Sequence, residues 1–308
     1  MSLNPLSLFR AMPGSIAQGM IWGVMALGVY ITFRLLDFAD LTVDGSIATG
    51  AAVSVMLIRA GVSPIATLPI AFLAGALAGM VTGLLNTALG IPGILASILT
   101  QISLYSINLN IMGKANQPVS VDNYPLVVSL RYVTDGSVSR LLFFLGMIVF
   151  LLALIAVMYW YFGTEQGHAI RATGCNSNMA RAQGINTNFI KVLALMISNG
   201  LVGLCGALYG QFQGASDVNM GRGAIVIGLA AVIIGEVGKF ASKRKLAFAF
   251  TLASVILGAV IYYMVYQFVL WLKMPSEDMK LFSAIVVAIF LAIPYLKEKR
   301  TLRKGASK

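Results

Sequence analysis

The chain is built from a succession of apolar segments, each about 20 residues long, separated by short polar connections. A helix of about 20 residues rises about 30 Å, the thickness of the hydrocarbon core of a bilayer. Because lipid offers no hydrogen-bond partners to the backbone, such segments must be helical. We predict an all-α, polytopic membrane bundle of about nine spans (eight to ten), forming a single transmembrane domain over residues 1–308. The predicted spans are residues 16–36, 45–61, 65–88, 92–112, 141–162, 188–212, 222–238, 246–272 and 280–296.

Composition supports a membrane protein. Of the residues, 58% are hydrophobic and 11% are charged, whereas soluble domains carry about 25% charged residues. The first apolar run continues to Leu36, which is longer than the apolar region of a typical signal peptide. We therefore expect it to be the first span.

The net charge of +11 could indicate a nucleic-acid partner, but the basic residues are distributed differently. Their densest clusters, residues 243–245 and 297–304, adjoin apolar spans, which is typical of cytoplasmic connections. We predict a basic cytoplasmic tail at 297–308, a cytoplasmic connection at 163–187 and an extracytoplasmic loop at 113–139. On this topology the N-terminus lies outside, and no nucleic acid is bound.

Few residues could support catalysis. The chain has one histidine, His168, and two cysteines, Cys175 and Cys205, without metal-ligand spacing or a disulfide framework. It also lacks the G-x-x-x-x-G-K-[ST] pattern that binds ATP phosphates. We predict that the chain is not an enzyme, has no catalytic or metal-binding residues and binds no cofactor itself.

Two parts of the sequence have a similar organisation. The first span is followed by a polar break at 37–45 and a short segment of small residues, and the sixth span is followed by a break at 216–223 and another such segment. The two units are offset by five spans, an odd number, so they would point in opposite directions. Inverted repeats of this kind are typical of transporters.

The connection at 165–186 is longer and more patterned than a turn. We predict a helical turn from Ala169 to Thr173 ended by Gly174, and then a second short helix from Ser177 to Gln183. Asn176 is its expected N-cap and Gly184 its C-terminal glycine. An apolar patch of Met179, Ala180 and Ile185 would suit docking into a groove of a partner protein, although an ordinary solvated loop is the alternative.

Three motifs resemble those of a known family. The pattern Arg171-Ala172-Thr173-Gly174-x-Asn176-x-x-x-Ala180-Arg181-x-x-Gly184-Ile185 resembles the coupling loop of bacterial ABC importer permeases in the branched-chain amino acid and ribose group. Residues 36–46 and 223–235 resemble stretches at matching places in that group, and the resemblance covers about residues 16–296. It is closest to permeases paired with tryptophan/tyrosine-type binding proteins, but residues 40–44 depart from the branched-chain pattern, which leaves the solute open.

The resemblance implies a set of partners. They are a second permease copy (a homodimer or a related chain), a cytoplasmic ABC ATPase dimer that holds ATP and Mg, an extracytoplasmic substrate-binding protein and the lipid of the bacterial cytoplasmic membrane. It also implies an ATPase-coupling role for Glu165, Arg171, Gly174, Asn176, Met179, Ala180, Gly184 and Ile185.

Polar side chains within the spans are candidates for a translocation path, because they are costly in lipid. Ser97, Gln101, Tyr105 and Asn108 are spaced by four, four and three residues and therefore share one helix face. Asn86 in the third span is a further candidate. The polar residues at 211, 213, 262, 263, 266 and 267 are also candidates. For all of these residues the alternative is that they form hydrogen bonds between helices or, for the tyrosines, lie at the membrane interface. An amide and aromatic lining would suit brief contact with a small zwitterionic or neutral solute.

The acids at 37, 40 and 44 are expected to lie in a turn, with Asp44 as an N-cap. None of the eleven acids lies at the centre of a predicted span. The resemblance implies instead a permease that imports a small organic solute, with an amino acid, and an aromatic one, favoured. The alternatives are an ion-coupled secondary transporter, which needs a carboxylate or cation site at mid-membrane, and an intramembrane enzyme.

Overall fold

The computed structural model describes residues 5–134, 137–237 and 247–272, with residues 285 and 288 as isolated positions. Within these ranges the chain is mostly helical, with one two-stranded antiparallel ribbon. The elements are α1 (Pro5–Tyr30, continued by a π-helical turn Ile31–Leu35), α2 (Val43–Arg59), α3 (Pro64–Thr87), α4 (Gly93–Met112), β1 (Asn116–Pro118), α5 (Leu130–Thr134), α6 (Ser137–Tyr161), α7 (Glu165–Cys175), α8 (Ser177–Ala182), α9 (Thr187–Gln213), β2 (Ala215–Asp217), α10 (Ala224–Val237) and α11 (Ala247–Trp271).

Each of the first eight predicted spans corresponds to one of these helices. Six helices are long and apolar enough to cross a membrane: Ser7–Leu35, Pro64–Thr87, Gly93–Met112, Val138–Tyr161, Thr187–Gln213 and Phe248–Trp271. The helices α2 and α10 are shorter, with 17 and 14 residues. The predicted ninth span, the basic cluster at 243–245 and the basic tail at 297–308 lie outside the described residues.

The start of the first helix differs from the prediction. The first span was predicted at 16–36, but α1 begins at Pro5 and runs through Pro13. Proline removes one backbone donor, but the neighbouring helices of a membrane bundle can compensate for this loss.

The helices α1 and α9 form the centre of the bundle, and glycines allow their close packing. A Cβ atom at Gly79 would overlap with the backbone of Leu195, which shows how closely α3 approaches α9. A Cβ atom at Gly19 would lie 2.6 Å from the Cα of Val260, so α1 and α11 also approach closely. Small residues permit such close contact between helix backbones. The helices α4 and α6 are the least buried of the long helices.

The bundle has two distinct ends. Ser15 near the start of α1 donates a 2.8 Å hydrogen bond to Gln267 near the end of α11. The same end carries the ribbon, in which Gln117 pairs with Ser216. At the other end, α7 packs against the π-helical turn at the end of α1. The connections that contain β1 and α7 thus lie at opposite ends of the bundle.

Candidate functional site

Three of the five predicted path residues line one cavity of about 250 Å³. They are Gln101, Tyr105 and Asn108, on one face of α4. The remaining lining residues come from the start of α2, from α4 and from the segment that precedes α10: Asp44, Gly45, Ile102, Val218, Asn219 and Arg222. The cavity therefore joins the two polar breaks of the chain to the polar face of α4.

The other two predicted path residues do not line this cavity. Ser97 is buried in α4 and donates a 2.8 Å hydrogen bond to the carbonyl oxygen of Ile94, one turn earlier. The side-chain amide of Asn86 donates a 2.8 Å bond to the carbonyl oxygen of Ile91 and so holds the turn between α3 and α4. Both side chains are satisfied locally, which favours a structural role for each.

Other polar candidates in the spans also serve helix packing. The buried amide of Gln211 in α9 donates to Ser54 of α2 at 3.3 Å and accepts from the backbone N–H of Val127. Tyr263 is buried and its ring lies 5.6 Å from that of Trp22. The side chains of Gln211 and Tyr263 therefore make contacts within the bundle, as the alternative to a path role predicted.

The side chain of Asp44 joins the two short helices α2 and α10. Its carboxylate oxygens accept hydrogen bonds from the backbone N–H groups of Gly223, at 2.9 Å, and Ile225, at 3.0 Å. Asp44 therefore caps α10, and our prediction that it caps its own helix was wrong. It lies inside the first turn of α2, whose N-cap residue is Thr42, and the tertiary fold brings the start of α10 against its side chain.

The sequence placed Asp40 in a turn and did not reveal its burial. Its side chain is 2% exposed, and its carboxylate accepts hydrogen bonds from the backbone N–H of Thr42, at 2.9 Å, and the side-chain amide of Asn199, at 2.7 Å. Asn199 lies near the middle of α9, which spans Thr187–Gln213. The acid belongs to a break between two apolar segments, and the fold carries that break deep into the bundle.

The predicted docking segment forms two helices in series. As predicted, Asn176 caps α8, and its side-chain oxygen accepts from the backbone N–H of Met179 at 3.0 Å. Gly184 follows α8 with a φ of +84°, the left-handed conformation typical of a C-terminal glycine. The prediction that Gly174 ends the first helix was wrong, since α7 runs from Glu165 to Cys175. The extended backbone of Asn176 ends it instead.

The predicted apolar patch is not one surface. Met179 is 63% exposed, but Ala180 is 3% exposed and faces the bundle, and Ile185 is half-buried. Neighbouring residues on a helix differ by about 100° in direction, so Met179 and Ala180 cannot share a face. Phe189, in the first turn of α9, is a second exposed apolar side chain at this end. The sequence analysis placed Phe189 in the predicted span 188–212 and so did not predict its exposure at this end of the bundle.

Two contacts attach α7 to the bundle. A Cβ atom at Gly174 would overlap with the carbonyl oxygen of Leu35, so α7 lies directly on the π-helical turn. The guanidinium of Arg171 lies 4.2 Å from the ring centroid of Phe248 in α11 and 5.7 Å from that of Phe162. Arg171 therefore points into the bundle, where cation–π contacts hold it.

The outer side of α7 borders a groove of about 690 Å³. Its lining residues are Gly163, Glu165, Gln166, His168, Ala169, Ala172, Ile185 and Ile190. An ion pair of 2.8 Å between Arg34 and Glu236 joins the π-helical turn to the end of α10 near the same end of the bundle. No group of three or more potential metal ligands occurs among the described residues.

Comparisons with known proteins agree on one family. A sequence profile described as "Branched-chain amino acid transport system / permease component" matches residues 12–294. A tyrosine transport system permease protein of Clostridioides difficile (strain R20291) is 39% identical over 277 residues, which cover 90% of this chain and 89% of that protein. An uncharacterised protein of Rickettsia prowazekii (strain Madrid E) is 31% identical over 284 residues, which cover 90% of this chain and 95% of that protein.

More distant relatives have similar descriptions. The autoinducer 2 import system permease protein LsrC of Yersinia pseudotuberculosis (serotype O:3, strain YPIII) is 28% identical over 257 residues, which cover 82% of this chain and 68% of LsrC. No solved structure gives a significant match to the chain.

Proposed function

Since this chain belongs to the family of branched-chain amino acid transport system permease components, we propose that it forms the translocation path of an ATP-driven importer. Members of the family are permease subunits of ABC transport systems and not enzymes, and the chain is a multi-pass protein of the bacterial inner membrane. In our proposal a binding protein delivers the solute from outside, and separate ATPase subunits supply the energy.

The observation that carries the proposal is the attachment of α7 and α8 to the end of the bundle. The two helices leave exposed the apolar side chains of Met179 and, nearby, Phe189, together with the groove along the outer side of α7. A short helical element presented in this way suits insertion into a groove of a partner. We propose that this partner is the ATPase and that this end of the bundle is cytoplasmic.

A short route leads from α7 to the cavity. Gly174 touches Leu35, and the chain then passes through the break that holds Asp40 before it reaches Asp44 at the cavity. In parallel, the Arg34–Glu236 pair joins the π-helical turn to the far end of α10, whose first turn is capped by Asp44. A displacement of α7 by the ATPase would therefore reach the cavity through both α2 and α10.

The packing of the helices supports an inverted repeat. The helix α1 packs on α10 and α11, and α9 packs in the same way on α2 and α3. The two central helices are antiparallel. The ring of Trp22 in α1 contacts that of Tyr209 near the end of α9 edge to face, and Ser198 in the first half of α9 donates to the carbonyl oxygen of Gly28. A rocking of one repeat against the other would expose the path alternately to the two sides.

The surface around the cavity suits a second copy of the chain. Ile102 is 63% exposed there and Tyr105 44%, next to the charged side chain of Arg222. A guanidinium is costly in hydrocarbon, so this side is expected to face protein or water. In contrast, the middle of α6 exposes a row of apolar side chains, among them Leu145 and Leu152, as a lipid-facing helix does. We propose that the path lies between two copies that meet at α4.

We propose an amino acid, and an aromatic one, as the solute. The relative that shares 39% identity is described as a tyrosine transport permease, and the cavity offers an aromatic ring and amide groups. An ion-coupled secondary transporter is the second candidate, because Asp40 lies level with the middle of α9. Its carboxylate is already bound to Thr42 and Asn199, which favours a structural role and hence the importer.

Reconstitution in proteoliposomes tests the proposal. Uptake of the solute should require the ATPase, its ATP and the binding protein, and should not respond to a proton or sodium gradient alone. The variant Met179→Glu should lose the ATPase during copurification and lose uptake, whereas Met179→Leu, which keeps the apolar side chain, should keep both. Uptake driven by an ion gradient without the ATPase would overturn the importer, and a fully active Met179→Glu would overturn the docking role of α8.

A further inference from the structure

Asn108 is the one lining residue of the cavity whose burial lacks an explanation within the described residues. Its side chain is 0% exposed, and neither its amide nitrogen nor its oxygen has a hydrogen-bond partner there. A buried amide without partners is destabilising, and nearly all buried polar groups in native proteins are paired. The adjacent empty space is therefore the natural position of its missing partner.

The cavity also contains charges of both signs. Arg222 is exposed to the cavity, and its guanidinium forms no ion pair or hydrogen bond with any described residue. The carboxylate of Asp44 is held in place by the N–H groups at the start of α10. A cation and an anion in one small cavity complement a zwitterion.

The size of the cavity and its aromatic side chain narrow the class of ligand further. The volume of about 250 Å³ is just below the range of about 300–1,000 Å³ typical of pockets for drug-sized ligands, so it would hold one small solute. The partly exposed ring of Tyr105 borders it and offers a surface for an apolar or aromatic side chain.

From these observations we infer that the cavity is a transient binding site for a small zwitterionic amino acid. In this site Arg222 binds the carboxylate, Asp44 attracts the ammonium group, and the amide of Asn108 completes its own hydrogen bonds with the solute. The inference rests on the proposed function, since it assigns a solute class to the proposed path. A guanidinium that remains exposed to water binds weakly, as a path that must release its solute requires.

Thiol labelling measures the electrostatics of the cavity directly. Asn219 lines the cavity, is exposed and has no role in the inference, so Asn219→Cys is a suitable reporter in a full-length chain whose two native cysteines are replaced (Cys175→Ser, Cys205→Ala). An anionic methanethiosulfonate should react there faster than a cationic one, after correction for free cysteine. Arg222→Gln should lower the ratio of the two rates about threefold or more. Lys114→Gln, a change in an exposed lysine outside the cavity, should leave it unchanged.

Protection by solutes tests the ligand class. L-phenylalanine should slow labelling of the reporter, whereas phenethylamine, which lacks the carboxylate, should not, and Arg222→Gln should abolish the protection. Asn108→Leu should also abolish it while the melting temperature stays the same or rises, because the variant removes an unpaired buried amide. Equal protection by the two compounds, or protection that survives Arg222→Gln, would overturn the assignment. If ATP-dependent uptake is normal in the reporter and no solute protects it, the site is wrong and the importer stands.

Discussion

The side-chain amide of Asn199 donates a 2.7 Å hydrogen bond to the carboxylate of Asp40, and both side chains are buried. The amide oxygen of Asn199 in turn accepts a 2.6 Å bond from the hydroxyl of Ser46 in α2. One asparagine in α9 therefore fixes both the break after the first helix and the start of α2. It also gives a buried carboxylate one of its two hydrogen-bonding partners.

Replacing this asparagine should destabilise the protein. In Asn199→Leu the Asp40 carboxylate would keep only its bond from Thr42, and a buried carboxylate with too few partners is costly. We expect the free energy of unfolding in detergent to fall by about 2–4 kcal/mol.

Two further variants test whether the loss of stability comes from the Asp40 carboxylate. Asn123→Leu changes an exposed asparagine in the connection after β1 and should have almost no effect. Adding Asp40→Asn to Asn199→Leu should restore part of the loss, because the charge is removed. If the double variant is as unstable as the single one, the charge of Asp40 is not the cause.

Gly174 offers a test of the contact between α7 and the bundle. The variant Gly174→Ala would place a methyl group against the carbonyl oxygen of Leu35, and overpacking of this kind typically costs about 1–3 kcal/mol. We expect α7 to shift, and ATP hydrolysis to continue with reduced uptake. The ratio of ATP hydrolysed to solute transported is the quantity to measure.

Gly146 provides the matched control for this change. It also lies within a helix, α6, but a Cβ atom there would meet nothing within 4 Å. Gly146→Ala should leave the ratio unchanged. A normal ratio in Gly174→Ala would show that α7 does not transmit its position through Leu35.

The contact between Arg171 and Phe248 can be measured with a double-mutant cycle. Arg171→Met keeps most of the side-chain length without the charge, and Phe248→Leu keeps an apolar side chain without the ring. Because the guanidinium lies 4.2 Å from the ring centroid, we expect a coupling energy of about 0.5–2 kcal/mol in thermal or chemical unfolding. The second ring, Phe162, should account for the stabilisation that remains in Phe248→Leu. A coupling energy near zero would mean that Arg171 does not hold α7 through Phe248.

Cross-linking tests the proposed meeting of two copies at α4. In a background without the native cysteines, Ile102→Cys should form a disulfide-linked dimer upon oxidation, because Ile102 is exposed beside the cavity. Leu145 on α6 is also apolar and exposed, but it should face lipid, so Leu145→Cys should remain monomeric. The reverse pattern on a denaturing gel would place the interface at α6 and leave the cavity on the outside of the assembly.

The sequence alone was sufficient to locate the helices that correspond to the first eight predicted spans. The length and hydropathy of each apolar segment are local properties, and both are set by the thickness of the bilayer and the need to satisfy the backbone within it. For the same reason the cap at Asn176 and the glycine at 184 could be predicted, because a cap involves residues only a few positions apart. The periodicity of α4 also placed Gln101, Tyr105 and Asn108 correctly on one face.

The tertiary structure decided which residues meet. Asp40 reaches the middle of α9, Asp44 caps α10, Arg171 points into the bundle and Ala180 is buried. Each of these outcomes depends on the packing of helices that are far apart in the chain. Hydrophobic patterning carries little information about that packing, because the lipid-facing and the protein-facing sides of a membrane helix are both apolar.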